Sequence, residues 1–270
     1  MNNIVIIPVY KSTLNTFEEI AFEQCVKILK EHQICIVSYK KCECHTYLNI
    51  AQKYSVDLMF EYFPEAYFQS IYAYNKLMLS CGFYRRFSKY EYMLIYQLDA
   101  YVFKDDLEYW CNKNYDYIGA PWFTNHLSVE EGGDLWETGN GGFSLRKIST
   151  MIRIFNKYPL LSFRQIMKYK QVLSKHKLRN LVAALFRCMG YKNNINYHKK
   201  NFQENEDIFI CQYLRSIGYP INIPTPQEAM FFSFEKSPSY LFQLTNKNLP
   251  FGCHAWEKNE YDTFWKNYIK

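Results

Sequence analysis

Over the first 120 or so residues, short unbroken apolar runs alternate with stretches of helical spacing, and that alternation sets the expected architecture. The run at 4–10 is apolar up to its last residue and reads as a buried strand. Residues 17–31 follow with Phe17, Ile20, Ala21, Cys25, Ile28 and Leu29 on one helical side. A second strand at 34–39, a short helix at 47–54 and a third strand at 57–63 continue the pattern. Residues 66–87 read as one long helix interrupted at Cys81-Gly82, 92–98 as the fourth strand, 105–112 as a helix and 116–119 as a short strand. Core-type strands separated by helices predict an α/β fold, with a mainly parallel central sheet covered on both faces.

Past Ala120-Pro121-Trp122 the pattern changes. Residues 124–137 are polar with Gly132-Gly133, a loop long enough to form part of a site. A small strand at 142–145 and a helix at 147–156 come next, and 162–200 reads as a helical insertion. The spacing predicts a helix over 206–217, stopped by Gly218. Pro220, Pro224 and Pro226 mark an extended segment, 229–234 reads as a strand, and the tail from Tyr261 as a short aromatic helix. A length of 270 residues suits one large α/β domain or two small ones.

Charge sharpens this outline. Between Glu137 and Glu204 there is no acidic residue and there are 14 Lys and Arg, leaving 18 bases against 26 acids elsewhere. Basic residues interleaved with Leu178, Leu181, Val182, Leu185 and Phe186 suit a helix lying on an anionic membrane, so 162–200 is the expected contact. A solvated helical face is the plainer alternative. No nucleic-acid module accompanies the charge, so nucleic acid is not expected as a partner. The nine cysteines show no regular framework, Met1-Asn2-Asn3 lacks a basic leader region, and no apolar run approaches a membrane span. Reduced thiols in a cytoplasmic protein, peripheral on the inner face of the plasma membrane, are expected. Cys42-Glu43-Cys44-His45 resembles half a zinc site but has no second Cys/His pair to complete it.

The candidate chemistry begins with Asp99, a carboxylate at the end of the apolar run 92–98. In open α/β sheets ligands bind outside the carboxyl ends of strands, which suits a metal- or phosphate-handling acid; a strand-end Asp capping a turn is the competing reading. His254, between Gly252 and Trp256, is a candidate nitrogen ligand or an ordinary packed histidine. Glu206-Asp207 opens a helix, where acids act as a general base or only as caps. Gly139-Asn140-Gly141-Gly142 suits close backbone approach to a ligand or a tight turn. Trp122 either stacks on a sugar ring or fills core. Aromatics at 19% of the chain, 25 of them Tyr, suit a sugar-binding groove but also a thick core. No Gly-x-Gly-x-x-Gly follows the first strand and there is no Walker loop, so dinucleotide and P-loop chemistry are disfavoured.

The segments 96–103 (Tyr-Gln-Leu-Asp-Ala-Tyr-Val-Phe), 117–122, 139–146, 205–207 and 251–256 together resemble a family of microbial proteins catalogued as a domain of unknown function and regarded as glycosyltransferase-like, of the GT-A type. More distantly, Asp99 to Phe103 and Glu206-Asp207-Ile208 are similar to the Asp-x-Asp and Glu-Asp-Val motifs of inverting GT-A enzymes. The resemblance implies a single GT-A-like domain, with 1–122 as the nucleotide-binding half and 123–270 as the acceptor half. It implies a nucleotide-sugar donor such as a UDP-sugar and a glycan or lipid-linked acceptor in surface polysaccharide synthesis. Asp207, with Glu206 beside it, becomes the catalytic base; Gln97, Asp99 and Tyr101 bind the donor; Asp99 and His254 hold Mn or Mg; Trp122, Asn140, Gly141, Gly142 and Trp256 meet substrate. One departure stands out. Tyr101 occupies the place of the second Asp of Asp-x-Asp and cannot replace a carboxylate on a hard cation. That keeps two alternatives in view: metal-free transfer with Lys or Arg on the diphosphate, and an inactive relative that only binds nucleotide sugar or glycan. A basic nucleic-acid-binding protein is the remote third.

Overall fold

A computed structural model describes residues 2–124, 133–171 and 177–270, with side chains outside 169–180. Strands β1 (Asn3–Pro8), β2 (Gln33–Ser38), β3 (Met59–Tyr62) and β4 (Tyr92–Tyr96) alternate with helices α1 (Thr16–Ile28), α2 (His45–Lys53), α3 (Ile71–Met78) and α4 (Cys81–Arg86). They are followed by β5 (Ala100–Val102), α5 (Leu107–Asn112), β6 (Tyr117–Ile118), β7 (Pro121–Phe123), β8 (Leu135–Thr138), β9 (Phe143–Lys147) and α6 (Ile148–Asn156). Among the described residues the main sheet has six strands in the order β3-β2-β1-β4-β9-β6. The four amino-terminal strands run parallel, and β9 pairs antiparallel with both β4 and β6. The expected mixed, mainly parallel sheet flanked by helices is the fold of this chain.

Period-two alternation explains the two cores. Ile4, Ile6, Cys35, Val37, Met93 and Ile95 face one layer, while Val5, Ile7, Ile34, Ile36, Leu94 and Tyr96 face the other. Local signals start the helices on cue. Asn15 accepts from the Glu18 amide and Glu18 returns the bond to the Asn15 amide, each at 2.9 Å, a capping box for α1.

Three expectations need correction. Residues 66–87 are not one helix: a 3₁₀ turn spans Glu65–Phe68, Ser70 caps α3, and a new helix begins at Cys81. Residues 229–234 are mostly helical, because Pro226 starts α12 (Pro226–Phe232) and only β10 (Ser233–Phe234) is extended. The tail from Tyr261 holds a 3₁₀ turn, Trp265–Asn267. Part of the polar loop 124–137 lies outside the described residues.

The basic block forms α7 (Phe163–Gln171), α8 (Lys177–Cys188) and α9 (Ile195–Lys200). Then α10 (Glu206–Ile208) runs through a π-helical turn, Phe209–Tyr213, into α11 (Leu214–Ser216). After α12 and β10 come α13 (Pro238–Leu244) and β11 (Gly252–His254). A small second sheet, β10-β11-β5, brings residues 100–102 beside 233–234 and 252–254.

Candidate functional site

The sheet order reverses between β1 and β4, and a cleft of about 670 Å³ opens at the carboxyl ends of those two strands. Its walls include Tyr10 after β1, Gln97 to Asp99 after β4, Asn140 to Gly142 before β9, Asn205 to Asp207 at α10, and Glu235, His254 and Lys258. A second hollow of about 680 Å³ sits at the opposite, amino ends of the strands beside Asn3 and Gln33. Its His32 and Asp105 pair with each other at 2.9 Å, and that end of such a sheet is not where ligands bind.

Strand register brings distant residues together. β4 ends at Tyr96, and the chain turns sharply, the Ala100 amide donating to the Gln97 carbonyl at 2.9 Å. That turn carries Asp99. β11 pairs antiparallel with β5, setting His254 opposite Ala100, and β10 pairs parallel with β11, setting Phe234 opposite Cys253. Asp99, Glu235 and His254 are therefore neighbours although they come from three parts of the sequence.

His254 lies between the two carboxylates. Its Nδ1 is 3.2 Å from Glu235 Oε1 and 3.0 Å from Asn140 Nδ2, and its Nε2 is 3.1 Å from Asp99 Oδ1. The other Asp99 oxygen meets Lys258 Nζ at 3.0 Å. Burial alone would lower the His254 pKa, but its contacts to Asp99 and Glu235 outweigh that and raise it to about 10. Burial likewise opposes ionisation of Asp99, yet His254 and Lys258 hold its carboxyl well below the ordinary range.

Cation binding at this point is tested by one orphaned atom. His254 Nε2 is buried and has no aligned hydrogen-bond partner, despite its closeness to Asp99. Two donors about 3 Å apart match adjacent ligands on one octahedral ion with bonds of about 2.1 Å. A carboxylate on the far ring nitrogen, here Glu235, is the usual partner of a metal-bound histidine because it fixes the tautomer. Asp99 and His254 thus suit a hard divalent ion, with its remaining positions left to water and ligand oxygens. Among the described residues no group of three or more such side chains is arranged for a metal.

Beside this pair, the turn 139–142 is shaped by side chains that press on its backbone. Asn140 takes a left-handed φ of 70°, and its Oδ1 accepts from the amides of Gly142 (2.8 Å) and Phe143 (3.2 Å). A Cβ on Gly142 would lie 2.0 Å from His254 Nε2, and one on Gly141 would lie 2.4 Å from Glu206 Oε1. These glycines make room for the site's own side chains.

Glu206 and Asp207 part ways. Glu206 is buried and pairs with Arg146 Nη2 at 2.8 Å; Arg146 is itself buried, bonding Tyr84 Oη at 3.1 Å and the Gly141 carbonyl at 3.3 Å. Its charge is thus spoken for, which overturns the expectation of Glu206 as a spare base. Asp207 is half-buried on the cleft wall, and among the described residues its Oδ1 accepts from the neighbouring Ile208 amide alone, at 2.8 Å. Burial and the charge of Glu206 push its carboxyl up to about 7. A carboxylate tuned near neutrality and facing a cleft has the properties of a general base.

Gln97, Asp99, Asn140, Gly141, Gly142, Asp207 and His254 all line the cleft. Three other expected residues do not. Tyr101 is buried, packed on Phe103 and Trp256 with ring centroids 5.1 and 6.1 Å away, so it is not available to a donor. Trp256 is 1% exposed within the same aromatic cluster, next to Phe17 at 5.3 Å, and is core instead of a substrate platform. Trp122 packs over Gly139, whose added Cβ would lie 2.0 Å from the indole. Sequence reasoning missed Glu235, Lys258 and Arg146. The first two had a signal in an acid ending the apolar run 229–234 and a base one helical turn beyond His254.

The family described as a protein of unknown function (DUF5672) matches residues 57–254. No curated protein matches the chain. Among solved structures, the galactosyltransferase LgtC in complex with donor and acceptor sugar analogues is 10% identical, with a TM-score of 0.48, over 93% of this chain and 86% of that one. Apo glycosyltransferase GlyE from Streptococcus pneumoniae TIGR4 is 11% identical, with a TM-score of 0.46, over 94% and 54% of the two chains. The Mn/GDP form of core-mannan synthase A from Aspergillus fumigatus is 11% identical, with a TM-score of 0.38, over 77% and 71%. All three scores are low, so the chemistry has to be read from this chain's own residues.

Proposed function

The chain belongs to the DUF5672 family, and we propose that its cleft transfers a sugar from a nucleoside diphosphate to an acceptor hydroxyl. The observation that carries this reading is the meeting of Asp99, His254 and Asp207 in one cleft at the sheet's switch point. Two demands of the reaction are met there. Negative charge grows on the departing diphosphate, and a hydroxyl proton must leave as the acceptor attacks.

Asp99 Oδ1 and His254 Nε2 would hold a divalent ion, Mn or Mg, and the ion would supply positive charge to neutralise the diphosphate. The raised pKa of His254 keeps both ring nitrogens protonated without an ion, so binding one would release the Nε2 proton and leave the Nδ1 proton held by Glu235. Lys258 adds an exposed positive charge at the same edge. Gln97 and the turn 140–142 border the donor, with the Gly142 carbonyl fixed by the Gln97 amide at 2.8 Å. Asp207 takes the acceptor proton from the side opposite the diphosphate, so the bond to the anomeric carbon forms with inversion. Arg146 holds Glu206 and the Gly141 carbonyl, which keeps the base-bearing helix against the donor turn. The acceptor is a glycan or a lipid-linked intermediate of a surface polysaccharide.

The test is a screen of UDP-, GDP- and dTDP-sugars, with and without manganese, read by thermal shift and by release of the nucleoside diphosphate. One nucleotide family should stabilise the protein, the shift should vanish in Asp99→Asn, and Asp207→Asn should keep the shift while losing turnover. A protein that no nucleotide sugar stabilises sinks the reading.

A further inference from the structure

We propose that α8 is a docking face for an anionic lipid bilayer, lying in the plane of the headgroups. Leu181, Val182, Leu185, Phe186 and Met189 are all exposed, the last three by 53%, 56% and 73%. At about 100° per residue these positions fill one continuous arc of about 140° on the helix. One flank is anchored, with Ala184 fully buried and Cys188 packed on the main core. A helix that is tied down along one flank and leaves a broad apolar arc exposed needs a second apolar surface.

Charge decides which surface. The block from 138 to 203 has 14 Lys and Arg and no Asp or Glu. Arg187 lies on α8 itself, and Lys192 is exposed just past its end, next to exposed Tyr191. An exposed apolar arc within a block that carries bases and no acids matches the boundary between acyl chains and anionic headgroups, with an aromatic at the interface. A second copy of this chain would set two basic blocks against each other, which disfavours a homodimer on this face. The helix cannot span: its 12 residues reach about 18 Å against a hydrocarbon core of about 30 Å. Among the described residues no helix is long and apolar enough to cross a membrane.

The segment that follows α8 packs on the turn after Asp207. On α9, His198 Nδ1 lies 2.7 Å from the Tyr213 hydroxyl, and Phe202 packs on Phe209 and Tyr213 with centroids 5.1 Å away from each. Those rings belong to the π-helical turn that follows Asp207. The docking itself does not depend on the donor chemistry.

The experiment is vesicle co-sedimentation of the full chain, comparing phosphatidylcholine alone with phosphatidylcholine containing one-third phosphatidylglycerol. Binding should be at least tenfold tighter to the anionic vesicles and should weaken as salt is raised. Leu185→Glu with Phe186→Glu should abolish it without changing the melting temperature, since both side chains are exposed. Arg187→Gln with Lys192→Gln should weaken it by about fivefold per charge removed. Equal binding to neutral vesicles, no binding, or full binding by the Glu pair would overturn the proposal. So would a dimer in sedimentation velocity that the Glu pair converts to monomer. Donor-induced thermal shifts measured in parallel separate a failure here from a failure of the glycosyltransferase reading.

Discussion

Two charged centres lie next to each other, and they differ in what surrounds them. The Arg146–Glu206 pair is sealed: both side chains are buried, and the guanidinium meets Glu206, Ser144, Tyr84 and the Gly141 carbonyl. The centre made by Asp99, His254, Glu235 and Asp207 opens on the cleft and is incompletely satisfied, with an orphaned Nε2 and a carboxyl pushed up to about 7. Glu206 and Asp207 are adjacent in sequence yet fall on opposite sides of this divide. Ionisable type alone does not mark a working residue. A polar group left unfinished at a cavity wall does, because burial without partners is costly unless a ligand completes it.

The contrast is broken most strongly at the base. Asp207→Asn should lower turnover by about 10²- to 10⁴-fold with donor affinity retained, measured by initial rates and donor titration. The wild-type rate should rise with pH through about 7, since only the ionised carboxyl accepts a proton, and then level off. The same raised pKa costs stability once pH exceeds the unfolded value of about 4, so Asp207→Asn should melt higher than wild type at pH 8 and gain nothing below about pH 4. Next comes the sealed pair. Arg146→Ala leaves Glu206 buried and unpaired and should destabilise the fold by about 3–5 kcal/mol, read by urea unfolding. Glu235→Gln should weaken Mn affinity by about 10- to 100-fold in calorimetry and, because the carboxylate pairs with His254, should also lower the melting temperature of the metal-free protein. Smallest of all, Tyr101→Phe should leave donor binding unaltered, since that ring packs within the aromatic cluster.

The sequence revealed the sheet well because β1, β2 and β4 are apolar on both faces, which no exposed element is. It failed at 229–234, where an apolar run of six residues suits a helix as well as a strand and Pro226 tips the choice. It failed again at 66–87, where Ser70 restarts the helix by accepting from the Ala73 amide. For the cleft, Asp99, Asp207 and His254 were legible as acids and a histidine at element ends. Glu235 was not, because its meaning comes from β10 pairing with β11 and bringing it to His254. Arg146 looked like any surface base, since its partner is 60 residues further on. Tyr101 and Trp256 misled for the converse reason: aromatic residues beside a motif look like ligand platforms until packing shows them to be filler.

The bare turn at 139–142 gives three independent handles on the protein. An added methyl at position 139 would strike Trp122, one at 141 the carboxylate of Glu206, and one at 142 the ring of His254. Three alanine variants within four residues would therefore push separately on the β7–β8 ribbon, the base-bearing helix and the histidine. Comparing them would tell which of those neighbours must keep its position for the cleft to work, without removing a single polar atom.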